Sequence, residues 1–88
     1  MKEQQYQSKI ISKFEKDGYY VLNLIKTNKN GVSDILALKS NEPPIFIEVK
    51  NETNKLSKLQ EYRLTEQKKL GFKVYYTKGY KLIEWHEK

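Results

Sequence analysis

Gly31-Val32-Ser33-Asp34-Ile35-Leu36, and then Ile45-Phe46-Ile47-Glu48-Val49-Lys50, decide how this chain folds and where its chemistry lies. Both stretches have the apolar, β-branched character of strands. Each also carries an acid where an ordinary sheet would want none. Side chains alternate along a strand, so Glu48 and Lys50 are expected beside Phe46, with Ile45, Ile47 and Val49 on the other face. On the earlier strand, Asp34 is expected to share its face with Val32, Leu36 and Leu38. An unpaired carboxylate taken out of water must be neutralised, paired or bound to a metal. Two acids and a lysine on neighbouring strands make a good site for a hard cation and its water.

Working outward, residues 2–16 read as a helix, with Tyr6, Ile10 and Phe14 four apart and Ile11 beside them. Asp17-Gly18 ends it. Residues 19–26 read as a strand, 27–31 as a turn with the hairpin signal Asn30-Gly31, and 32–39 as the returning strand. Residues 40–43 form the next turn. Strand 44–50 follows, with Pro44 tolerated at its start. A polar loop at 51–55 leads to a second helix over 57–70, closed by Gly71. Strands are expected at 72–77 and 80–85. The order α-β-β-β-α-β, with a final strand or tail, suits an α/β fold: a mixed sheet with helices packed on it. On the second helix Leu56, Leu59, Leu64 and Leu70 form one apolar arc. Gln60, Arg63 and Gln67 fall inside it, and buried polar groups need partners. Gln60 and Arg63 are therefore expected to face the sheet edge near the acids.

Eighty-eight residues suit one domain. A domain of that size buries about 60–65% of its unfolded surface, so its core is thin and dimerisation would help. Residues are 38% apolar and 32% charged, and seventeen basic against eleven acidic side chains give +6. All the basic residues but Arg63 are lysine. Such an excess favours an anionic partner through counterion release. Without cysteine there is neither a disulfide framework nor a thiolate metal site. No stretch approaches the roughly 20 apolar residues that cross a bilayer. The polar N-terminus lacks a signal peptide's apolar segment. An intracellular, cytoplasmic location with no membrane partner is expected.

Each candidate has a plainer alternative. Asp34 could close the hairpin, as turn aspartates do. Glu48 and Lys50 could be a solvent-facing stripe, although the strand around them has the composition of one buried on both faces. Ser57 and Gln60 form a capping box. Glu3 sits in a first helical turn, where an acid complements the helix dipole. Lys9, Lys13 and Lys16 could meet phosphates or simply be a wet helix face. Lys55 and Lys58 are better phosphate contacts because their loop adjoins the proposed site, and Arg63 joins them as a nucleic-acid-binding candidate. Tyr62, Tyr75, Tyr76, Tyr80 and Trp85 could stack on bases or build the core or a subunit interface. His86, the single histidine, is given no role.

Asp34, fourteen positions before Glu48-x-Lys50, resembles the PD-(D/E)XK nuclease pattern. With the glycine before the aspartate and Leu56-Ser57-Lys58-Leu59-Gln60 after the lysine, the chain resembles the VRR-NUC family, relatives of Holliday-junction resolvases. The likeness covers residues 3–77; Ser33 departs from it, standing where the family often has proline. It implies a restriction-endonuclease-like αβββαβ core. It also implies Mg²⁺ or Mn²⁺ held by Asp34, Glu48 and the Val49 carbonyl, with Glu3 as a further metal-proximal acid. Lys50 would orient the water or steady the transition state, and Gln60 would fix Lys50 or the water. The implied products carry 5′-phosphate and 3′-hydroxyl ends. A short chain without a base-reading element is expected to select DNA structure over sequence. A homodimer would set two sites against two strands of a four-way junction. The alternatives are a non-catalytic basic nucleic-acid-binding module and a subunit of a larger nuclease complex.

Overall fold

The four-residue spacing of Tyr6, Ile10 and Phe14 puts them on one side of helix α1 (Glu3–Lys16), and this stripe packs against the sheet. A computed structural model describes residues 1–87. After α1 come β1 (Tyr20–Asn23), β2 (Ile35–Leu38), β3 (Ile45–Glu48), helix α2 (Lys58–Lys69), β4 (Lys73–Lys78) and β5 (Lys81–Glu84). The five strands form one sheet in chain order. β1, β2 and β3 pair antiparallel, β3 and β4 run parallel, and β5 returns antiparallel to β4. A parallel pair needs a long crossover, and α2 lies within it. This is the α/β fold with a mixed sheet that the element order implied, and its last segment is a true strand.

The alternation read from β3 holds on both sides. Ile45, Ile47 and Val49 are buried with Ile35 and Ala37 beneath Tyr6 and Ile10 of α1. On the opposite face Leu64 of α2 packs with Val74 and Trp85, flanked by Leu56, Phe72 and Tyr76. The apolar arc of α2 is narrower than expected: Leu64 is buried, whereas Leu59 and Leu70 are exposed. Gln67 is buried in its place and accepts a hydrogen bond from the Ser33 hydroxyl at 3.1 Å.

The β1–β2 hairpin is not the tight turn that Asn30-Gly31 suggested. The strands pair only from Tyr20↔Leu38 to Asn23↔Ile35. The chain between them is held by α2 instead. Gly31 has φ +79°, and a side chain there would meet Leu59 Cγ at 2.6 Å. Arg63 Nε donates to the Asn30 carbonyl at 2.8 Å. With Ser33 tied to Gln67, residues 30–33 belong to the helix face rather than to a ladder. Asp34 consequently stands immediately before β2, not within it.

Candidate active site

Asp34 stays at the sheet because its own peptide is still paired: its carbonyl accepts the Leu24 N–H at 2.8 Å. Its carboxylate reaches across to β3, where Oδ2 accepts the Val49 N–H at 2.9 Å. The amide next to Glu48 thus anchors the first acid beside the second. Glu48 ends β3 on the α2 side and is only 3% exposed. Its Oε2 accepts from Gln60 Nε2 at 3.3 Å, while Oε1 is buried with no hydrogen-bond partner among the described residues. Burial, then the Asp34 charge and a side-chain hydrogen bond that the protonated Glu48 carboxyl can share with Asp34, push it up to about 9; Lys50 pulls the other way and the Glu3 charge adds to the rise. Asp34, Glu48 and Lys50 therefore meet in one electrostatic neighbourhood. A buried carboxyl that resists ionisation, with one oxygen unpartnered and a second acid alongside, is a donor pair that a cation would satisfy.

Gln60 closes the expected capping box, and its side-chain amide meets Glu48 rather than Lys50. Its Oε1 accepts from the Ser57 N–H at 2.9 Å, and Ser57 Oγ accepts from the Gln60 N–H at 3.1 Å, closing the capping box. The remaining amide N–H is the one that meets Glu48. The cap therefore orients the amide toward the acid.

Lys50 is held by a residue that sequence reading passed over. The Thr77 hydroxyl accepts from the Lys50 N–H at 3.0 Å and donates to the Lys50 carbonyl at 3.1 Å, and the Gly79 N–H adds a third bond at 2.8 Å. Thr77 is completely buried on β4. A lone strand threonine looks like any β-former, so only the parallel pairing of β3 with β4 exposes its role. Glu3 lies near Glu48, but its Oε2 accepts from the Asn51 N–H at 3.3 Å and from Asn54 Nδ2 at 2.8 Å. It holds the 51–55 loop against α1. Lys55 and Lys58 line a cavity together with Lys50. Arg63 sits on the other flank, bound to Asn30 and paired with Glu66 at 3.1 Å. His86 is exposed and contacts Lys68.

A mixed sheet with an acid–acid–lysine cluster at the ends of two adjoining segments defines a nuclease-type domain. The VRR-NUC domain family matches residues 1–81, and the chain belongs to it. A solved structure described as a VRR_NUC domain shares 25% identity and superposes with a TM-score of 0.78, covering 89% of this chain and 85% of that one. No curated protein matches the chain.

Proposed function

We propose that the protein is a divalent-metal-dependent endonuclease that hydrolyses phosphodiesters in branched DNA, four-way junctions above all, and acts as a homodimer. The observation that carries this reading is the buried Glu48 carboxyl, its Oε1 unpartnered beside Asp34. The donor set fits a hard cation: two carboxylates, with the Val49 carbonyl as a third oxygen. No cluster of three acidic, histidine or cysteine side chains forms among the described residues. A Mg²⁺ ion here would rest on two carboxylates and keep several waters. Mg²⁺ or Mn²⁺ bound there supplies charge to the phosphoryl oxygens and makes a bound water more acidic.

The remaining work belongs to side chains. Phosphoryl transfer needs an aligned nucleophile and positive charge at the phosphoryl oxygens. Lys50, anchored through its backbone to Thr77, brings an ammonium group to the Glu48 side of the sheet and orients the water or steadies the transition state. Gln60 donates to Glu48 and keeps that carboxylate turned toward Asp34. Two copies related by a two-fold axis would address two strands of a junction together. A non-catalytic basic module would be hindered by two acids on its phosphate-binding surface, so the acids favour catalysis.

A labelled four-way junction incubated with and without Mg²⁺ tests the reading. Wild type should cut only with metal. Glu48→Gln and Lys50→Ala should bind the junction but cut at least about 10²-fold more slowly. Undiminished cutting by both variants would refute the assignment.

A further inference from the structure

Beyond the acids, the ends of β3 and β4 bring lysines together where a sheet would avoid them. Glu48 pairs with Tyr76 across the parallel ladder, so Lys50 and Lys78, each two residues on, rise on the same face of adjoining strands. The Thr77 and Gly79 bonds to Lys50 keep this alignment past the last ladder pair. Like charges side by side on a sheet repel. Lys55, from the loop, and Lys58, from the first turn of α2, face them across one cavity of about 520 Å³, with Glu61 as the acid in its lining. Lys55, Lys58 and Lys78 make no ion pair or hydrogen bond among the described residues, whereas Lys68 and Lys69 pair with Glu84 and Glu87.

The walls of this cavity are held in place before any ligand arrives. Asn51 Oδ1 accepts from the Thr53 and Asn54 N–H groups, Asn54 is tied to Glu3, and the Tyr6 hydroxyl donates to Glu52. The Ser57 cap fixes the other end of the loop. A loop whose backbone is already ordered spends less entropy on binding. Trp85 also lines the cavity but is 5% exposed, with its Nε1 donating to Thr65 and its ring edge-on to Tyr76. It is not free to stack on a base.

The geometry points to this cavity as the track of one nucleic-acid strand, with Lys55, Lys58 and Lys78 taking the phosphates next to the one presented to Lys50. The placement of the reacting phosphate rests on the nuclease reading above. The volume is that of a small-ligand cleft, enough to seat a stretch of one strand's backbone. Contacts confined to phosphates make the track indifferent to sequence.

Two double variants of the full chain remove equal charge: Lys55→Ala/Lys78→Ala in the track, and Lys26→Ala/Lys73→Ala outside its lining. Their affinities for a labelled single-stranded oligonucleotide and for a four-way junction are measured across a salt series with Ca²⁺ replacing Mg²⁺, and cleavage of the junction is followed with Mg²⁺. The track variant should bind the single strand at least about tenfold more weakly, with a log–log salt slope shallower by about 1.4, or 0.7 per lost phosphate contact. In cleavage it should raise KM more than it lowers kcat. Equal losses in the two double variants, or no loss in the track variant, would overturn the track and leave the nuclease reading standing. A wild type that binds through these lysines but never cuts would do the reverse.

Discussion

A carboxyl group 3% exposed, with another acid beside it, holds its proton far above the usual range, and this makes the metal-free protein sensitive to pH. The folded-state value of about 9 lies above the ordinary 4.5, so between these limits the native state binds a proton that the unfolded chain has lost. Stability therefore falls as pH rises through that window, by at most about 1.4 kcal/mol per pH unit from this group. Chemical denaturation from pH 5 to 9 in EDTA should show the decline, and Glu48→Gln should flatten it. At pH 8 the same substitution should make the protein in EDTA more stable, while with Mg²⁺ it slows cleavage at least about 10²-fold. Adding Mg²⁺ at pH 8 should raise the wild-type Tm, because a ligand that binds only the native state stabilises it, and should leave Glu48→Gln nearly unmoved. A Tm indifferent to Mg²⁺ in both proteins would count against the cation site.

The elements that present these groups are joined by a few backbone contacts. Thr77 satisfies both polar groups of the Lys50 peptide from β4. Thr77→Val removes them and should lower kcat by roughly tenfold or more, as losses of supporting hydrogen bonds around metal sites do. Thr77→Ser should restore it, which a purely steric role would not predict. Gly31 meets α2 at Leu59 with φ +79°, so Gly31→Ala combines backbone strain with overpacking and should destabilise by roughly 1–3 kcal/mol in urea. Much at this level was legible in advance. The spacing of Tyr6, Ile10 and Phe14 specified α1 to within a residue, and Ser57 and Gln60 marked the start of α2 because a capping box is local chemistry. The turn at 27–31 was not legible. Asn30-Gly31 is a hairpin signal only when the flanking strands are free to pair, and here Leu59, Arg63 and Gln67 draw residues 30–33 away.

The protein as a whole sets a +6 chain around a small two-faced core. If six to eight lysines meet phosphates, junction affinity should fall about 10³-fold or more between 50 and 200 mM salt. A flat dependence would contradict a basic binding surface. Tyr20, Ile25 and Leu70 remain largely exposed, and sedimentation equilibrium at micromolar concentration should report a dimer that covers apolar surface of this kind. Among the described residues no helix is long and apolar enough to cross a membrane. Periodicity, caps and strand composition are local properties, so they already specified both helices, the alternation of β3 and the residue types of the acid–acid–lysine group. The chain order could not say which oxygen of Glu48 stays idle, that Asp34 is anchored by the Val49 amide, or that Thr77 and Lys78 come up beside Lys50. Those facts depend on the register of β3 against β4 and on the approach of α2. Both are set by burying distant apolar groups together, a property of the folded whole that no window of sequence contains.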